Sequence, residues 1–251
     1  MNYTRPVAYD RFMGRWSARL APSFLQFSLL RGGQHILDVG CGTGNLARAA
    51  LSFAPDIRVT GIDPAPEYVA FARNAVPGVR VKFQRGAAEA LPFADRAFDA
   101  ALALLVVQDF ADKQKAVAEM ARVTRAGGII AACQWDFEQG LPMLSLLWQA
   151  AEAVAPDAVA ARRAVAPARH SLLAQLEALW RNAGIAEVTS DSLEFAMRFE
   201  SFEDYWQPFL GGSTPTSSFA AAINAQTGGA LERVLRRSRR WRKLCKQRRA
   251  M

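Results

Sequence analysis

The sequence predicts an α/β fold, a parallel sheet with helices on both faces. Three observations lead there. Between residues 35 and 134, short apolar runs alternate with helical stretches of roughly a dozen residues. One run, 98–107, has almost no polar alternation, as a parallel strand buried on both faces requires. A glycine-rich turn, Gly40-x-Gly42-x-Gly44, stands between the first run and the helix after it. The 251 residues, 51% hydrophobic and 22% charged, suit such a core and exclude a disordered or fibrous chain.

The elements follow in order. Phe12, Trp16, Leu20 and Phe24 recur at four-residue steps, so 9–30 reads as a helix with one apolar face. Residues 35–39 form a buried strand and 45–53 a helix. A second strand over 57–62 ends at Asp63-Pro64, a pair that also reads as a helix N-cap and first helical residue. A helix over 65–75, a turn at Pro77-Gly78 and a third strand over 79–83 come next. The fourth strand is 98–107; a helix over 113–124 closes at Gly127-Gly128, and 129–134 is the fifth strand. The alternation then stops. Residues 141–154 form an apolar helix, followed by an Ala/Arg-rich stretch to 168 and a helix over 172–182 capped by Ser171. A sixth, more polar strand region spans 185–199, and 201–210 is a helix with an aromatic face of Phe202, Tyr205, Trp206 and Phe209. Residues 211–218 read as a loop, and the rest as a helix running into a basic tail.

The net charge of +8 suggests a polyanion partner until it is counted by position. Residues 1–231 carry 21 Lys+Arg against 22 Asp+Glu, whereas 232–251 carry ten against one. The basicity therefore belongs to the tail. Three scattered cysteines and two histidines argue against a disulfide framework or a zinc site, so no metal is expected. The polar first residues lack a signal-peptide pattern, and no apolar run approaches the length of about 20 needed to span a membrane. A cytoplasmic location is the expectation.

The glycine turn is the most informative segment. Glycines there permit positive φ and let backbone N–H groups come close to a ligand at a helix N-terminus. The dinucleotide fingerprint G-x-G-x-x-G would need a glycine at Asn45, so the spacing counts against an NAD-type oxidoreductase. An acidic residue, Asp38, stands inside the first strand, and another, Asp63, closes the second. A carboxylate at that second place can accept from both hydroxyls of a ribose.

The blocks D-V-G-C-G-T-G, G-I-D, G-A-A-E-A-L-P-F, F-D-A-A-L and E-M-A-R-V-T-R-A-G-G occur in this order over about 35–135. Together they resemble class I S-adenosylmethionine-dependent methyltransferases, and more narrowly the subgroup that includes the ubiquinone/menaquinone C-methyltransferases (methyltransferase type 11). The resemblance implies a Rossmann-like sheet of order 3-2-1-4-5-7-6 with an antiparallel seventh strand. No alternating apolar strand follows Leu235, so that strand is expected to be missing or the terminus altered. The implied division is an N-terminal helical lid at 1–33, a methyltransferase domain at 34–231 with a cap near 138–170, and the basic tail 232–251.

The resemblance also implies roles. Asp38 and the backbone of Gly40, Gly42 and Gly44 would hold the amino-acid end of S-adenosyl-L-methionine. Asp63, followed by Pro64, would bind the ribose. Ala88 and Glu89 would face the adenine, and Leu104 and Leu105 would line the pocket at the methionine moiety or simply pack the core. An Asp is common in the family where Ala87 stands here, so contact to the adenine amino group falls to the backbone around Ala88 and to Glu89. Methyl transfer needs mainly proximity and orientation, with a base only if the acceptor must lose a proton. His170 and Asp109 are the candidates for that base; His170 equally reads as a polar residue at a helix start. Val107-Gln108-Asp109-Phe110 stands where amide or adenine N-methylating enzymes carry N-P-P-Y, which argues against DNA adenine methylation. Tyr9, Phe12, Trp16, Trp135, Trp148 and helix 141–154 suggest a planar or lipophilic small acceptor, or simply core packing. The tail allows three readings: an altered terminus, a solvated helix, or a nucleic-acid- or anionic-lipid-binding segment. The tail also leaves open a cofactor-binding protein with little turnover.

Overall fold

A computed structural model describes residues 5–137, 141–165, 173–238 and 241. The elements are α1 (Pro6–Tyr9), a π-turn (Asp10–Gly14), α2 (Arg15–Phe27), β1 (His35–Val39), α3 (Asn45–Phe53), β2 (Arg58–Asp63) and α4 (Pro66–Ala75). They continue with β3 (Val81–Arg85), β4 (Phe98–Leu104), a 3-10 turn (Val107–Asp109), α5 (Lys113–Val123) and β5 (Thr124–Cys133). The remainder is helical: α6 (Pro142–Val154), α7 (Pro156–Val165), α8 (Leu173–Asn182), α9 (Phe202–Trp206), a 3-10 turn (Gln207–Gly211), α10 (Pro215–Gln226) and α11 (Ala230–Arg237).

The chain divides into two compact units. The first comprises the described residues up to Pro6, of Met13–Trp135 and of Ser171–Phe195. Its sheet is wholly parallel, in the order β3-β2-β1-β4-β5. The chain runs outward from β1 to β3, then crosses to β4 and β5, so the order reverses between β1 and β4. That reversal is the switch point at which open α/β sheets form their ligand crevice, beyond the strand C-termini. The continuous apolar run of β4 is explained by position: Ala100, Ala101, Leu102 and Ala103 are fully buried in the sheet centre. Leu37, Val39, Ile62, Phe98, Met120 and Val123 continue the core beneath α5 and α8.

The second unit gathers Val7–Phe12 with the described residues of Asp136–His170 and Ala196–Met251. Its centre is aromatic. Phe209 lies edge-on to Phe12 at 4.9 Å and to Tyr205 at 5.3 Å, and Trp148 faces Phe219 at 5.1 Å. Tyr205 donates its hydroxyl to the Met143 carbonyl at 3.0 Å. The aromatic face predicted for 201–210 is real: Phe202, Tyr205, Trp206 and Phe209 are all buried.

Several expectations are corrected. Residues 185–199 form no strand, and the sheet has five strands among the described residues. The segment still alternates in burial from Leu193 to Glu200, because its apolar side chains turn inward without a ladder neighbour for its backbone. The proposed loop 211–218 already contains the start of α10. Thr214 caps that helix, accepting from the Ser217 N–H at 3.1 Å while the Ser217 hydroxyl sits 2.8 Å from the Thr214 N–H. Asp63-Pro64 is not the cap and first residue of a helix; Ala65 and Pro66 take those places. The third strand lies two residues later than predicted, leaving Val79 fully exposed. The fifth strand starts at Thr124, before the glycine pair. A Cβ on Gly128 would lie 2.6 Å from the Asp99 carbonyl oxygen, so this glycine permits close backbone approach within the sheet. Ser171 lies outside the described residues.

Candidate functional site

The site is built at the C-terminal ends of β1, β2 and β4. β1 delivers Asp38 and then the glycine turn, with Gly40, Gly42 and Gly44 at φ +70°, +51° and +82°. At Gly40 the requirement is also steric. A Cβ there would lie 2.6 Å from a methyl of Val106, the residue just beyond β4. Around Gly42 there is room: the nearest side-chain atom, from Tyr68, would be 3.9 Å from an added Cβ.

The hydrogen bonds of this turn show what it offers. Gly40 and Cys41 both donate to the Ile62 carbonyl, at 2.8 and 2.9 Å, and Gly44 donates to Cys41. Gly42 donates to Asp63 Oδ2 at 3.0 Å. These four N–H groups are engaged within the protein, so they form no anion cradle of the kind that grips a pyrophosphate. The acidic side chains, by contrast, have acceptor capacity left. Asp63 takes one N–H on each oxygen, Gly42 on Oδ2 and Ala65 on Oδ1 at 2.9 Å, which leaves a lone pair on each. Asp38 is buried, and its Oδ2 has no hydrogen-bond partner.

Burial raises the proton affinity of both carboxylates. Burial, then the nearby charge of Asp63, pushes Asp38 up to about 7 from an ordinary 3.8. Burial also raises Asp63, opposed by the N–H groups of Ala65 and Gly42. Burial drives the Cys41 thiol well above its usual range, so it is not a nucleophile here. An arrangement of unsatisfied acidic acceptors suits a cationic, hydroxyl-rich ligand.

The other predicted residues take these places. Leu104 ends β4 and is buried. Pro64 and Ala88 follow β2 and β3, and Ala88 is buried. Glu89 is already committed through Oε1, which accepts from Ala111 and Asp112 at 2.8 and 3.3 Å ahead of α5. Asp109 sits in the 3-10 turn after β4, where its Oδ2 accepts from Gln108 at 3.3 Å. His170 lies outside the described residues. Trp16 and Trp135 each approach Phe195, at 6.4 and 6.1 Å, so both are part of the packing of the first unit.

The roles of two residues, Asn45 and Arg122, escaped the sequence reading. Asn45 lies where the dinucleotide fingerprint would have a glycine. Its Nδ2 reaches the Gly14 carbonyl and Thr43 Oγ1 at 3.0 Å and Ser17 Oγ at 3.1 Å, tying the glycine turn to the start of α2. Arg122 donates to Leu91 and Phe93 carbonyls and to Glu119 and Asp95, holding the segment that follows Glu89. Leu105, expected beside Leu104 at the methionine moiety, is buried and turns the chain after β4 at φ +62°. Asn45 was signalled by its departure from the dinucleotide spacing, and Arg122 by its place in the E-M-A-R-V-T-R-A-G-G block.

The methyltransferase domain family matches residues 37–132. An O-methyltransferase of Penicillium expansum is 35% identical over 162 residues, 63% of this chain and 55% of that protein. The demethylmenaquinone methyltransferase of Thermus thermophilus is 39% identical over 116 residues, 45% of this chain and 51% of that one. The chain thus spans about half the length of these curated relatives. In fold it is similar to a chain from the complex of the Haloferax volcanii Trm112 methyltransferase activator with a methyltransferase, with a TM-score of 0.60 over 88% of this chain and 91% of that one at 22% identity. The YcgJ protein of Bacillus subtilis gives a TM-score of 0.56 over 84% and 82% of the two chains at 23% identity. No helix among the described residues is long and apolar enough to cross a membrane, and no group of three metal-ligating side chains occurs among them. The matched segment and the strand order agree: residues 37–132 are a methyltransferase domain, similar to the class I S-adenosylmethionine-dependent enzymes of the subgroup that includes the menaquinone methyltransferases.

Proposed function

We propose that this protein transfers a methyl group from S-adenosylmethionine to a small planar or lipophilic acceptor. The observation that carries the reading is the acceptor chemistry of the switch point: a buried carboxylate with an unpartnered oxygen, Asp38, and a half-buried one, Asp63, beside a turn whose glycine N–H groups are engaged within the protein. That set fits an ammonium, a sulfonium and ribose hydroxyls better than it fits a pyrophosphate.

When bound, the cofactor supplies a methyl carbon already activated by positively charged sulfur. Asp38 Oδ2 would accept from its ammonium, and the backbone at Gly40, Gly42 and Gly44 would shape that end of the site. Asp63 would accept from the ribose hydroxyls on its remaining lone pairs, next to Pro64. The loop of Ala88 and Glu89 would flank the adenine, and Leu104 would line the methionine side. The chain's contribution to rate is then orientation and exclusion of water. A base is required only for an acceptor that must lose a proton, and Asp109, in the turn after β4, is the candidate among the described residues. The activities named for the two relatives, an O-methylation and one on demethylmenaquinone, support a small-molecule acceptor.

Calorimetry with S-adenosylmethionine, S-adenosylhomocysteine and NAD tests the cofactor. The two sulfur compounds should bind and NAD should not; the reverse would refute the proposal. Transfer of a labelled methyl group to a panel of planar phenols and quinols tests turnover.

A further inference from the structure

We infer that the outer edge of β3 takes up an extended, acidic segment of a partner protein, which pairs with β3 as a further strand of the sheet. The inference is independent of the methyltransferase reading above.

The direction of each β3 peptide group follows from its bonds to β2. The Arg80 carbonyl accepts from Val59 at 2.8 Å, and Gly86 donates to the Asp63 carbonyl at 3.1 Å. Residues 80, 82, 84 and 86 therefore turn their peptide groups toward β2, and Val81, Phe83 and Arg85 turn theirs away from it. β3 ends the sheet, so no strand among the described residues lies beyond them. Two of these outward groups are met locally. Val81 donates to the Gly78 carbonyl at 3.4 Å, and the Phe83 carbonyl accepts from Arg73 Nε and Nη2 at 3.0 and 2.7 Å. The N–H groups of Phe83 and Arg85 and the Val81 carbonyl have no hydrogen-bond partner among the described residues.

The charge along this edge is one-sided. Residues 57–85 carry five cations, Arg58, Arg73, Arg80, Lys82 and Arg85, against two acids, Asp63 and Glu67. All five cations are exposed. Among the described residues none of them forms an ion pair with a carboxylate. Arg73, Arg80 and Arg85 are instead held by the main-chain carbonyls of Phe83, Ile57 and Pro64, which fix a guanidinium without neutralising it. A body that is near-neutral as a whole thus keeps a local excess of positive charge beside an unpaired strand edge.

One kind of partner meets both features. A polynucleotide or an anionic lipid surface would meet the charge and leave the N–H and carbonyl groups of the edge unused. A second copy of β3 would meet the backbone groups and set cation against cation. An acidic strand pairs main chain with main chain. It also sets carboxylates beside Arg80 and Lys82 on one face and apolar side chains beside Val81 and Phe83 on the other. A carboxylate would draw Arg73 off the Phe83 carbonyl and release that carbonyl to the ladder.

The test titrates the full chain into a fluorescein-labelled heptapeptide of alternating glutamate and valine and reads fluorescence polarisation. The same peptide N-methylated throughout keeps its charge and loses its main-chain donors. The unmodified peptide should bind about tenfold more tightly than the methylated one. Lys82→Glu should weaken it by about tenfold with the urea midpoint of the protein unchanged, and Lys82→Arg, which keeps the charge, should bind it as the wild type does. No peptide binding, equal binding of the two peptides, or wild-type binding by Lys82→Glu would overturn the inference. Tighter binding of polyuridylate or of phosphatidylserine vesicles than of the peptide would overturn it too, and would assign the cations to a nucleic acid or a membrane surface.

Discussion

At the residue scale, the site turns on two aspartates that differ in what they already hold. Asp63 fixes the glycine turn through Gly42 and has lone pairs to spare, so Asp63→Ala removes both an anchor and a charged acceptor. Its S-adenosylhomocysteine affinity should drop by about 3 kcal/mol in calorimetry, and an unchanged affinity would remove Asp63 from the site. Asp38 makes a pH prediction. Its folded-state pKa is raised to about 7, so its contribution to stability is fully present below the ordinary carboxylate range and is lost as pH rises from about 4 to about 7. Asp99 and Glu119, held below their usual values by the N–H groups and guanidinium groups they bind, work in the opposite sense at lower pH. Urea unfolding of the ligand-free protein at a series of pH values should therefore show a wild-type slope between 4 and 7 that Asp38→Asn flattens. Both aspartates were legible in the sequence, because an acid at each strand end flanks a glycine turn. The unpartnered state of Asp38 Oδ2 was not, because an unpaired atom is defined by everything around it.

At the element scale, the loop between β3 and β4 depends on one side chain of α5. Arg122 spans Leu91 and Phe93 carbonyls and two carboxylates with its planar fork, a geometry that lysine cannot reproduce. Arg122→Lys should lower stability by about 1–2 kcal/mol in urea, a figure reduced because the side chain is partly exposed. It should also weaken cofactor binding, since the same loop carries Ala88 and Glu89. Elements with a strong local signature were readable: the apolar run of β4, and the four-residue periodicity that buries Phe12, Trp16, Leu20 and Phe24. Residues 185–199 were not. Their alternation specifies which side chains turn inward, but a strand exists only when another backbone lies alongside it, and alternation carries no information about that neighbour.

At the scale of the whole molecule, the net charge of +8 separates into a near-neutral body and a basic tail, ten cations against one acid over 232–251. The buried residues of α11, Leu231 and Leu235, lie before the densest part of that run. Deleting 242–251 removes five cations and no acid, so elution from a cation exchanger should shift to clearly lower salt while S-adenosylhomocysteine affinity stays the same. A matching fall in affinity would show that the tail acts on the site. The sequence by itself determined the parallel α/β class, the glycine turn, its acidic flanks and the position of the charge, because each is a local pattern written in neighbouring residues. Only the tertiary structure decided that the glycine N–H groups are engaged within the protein, that Asp38 keeps an unpartnered oxygen, and that the sheet has five strands among the described residues. Those outcomes depend on which distant groups meet, and no spacing along the chain records that.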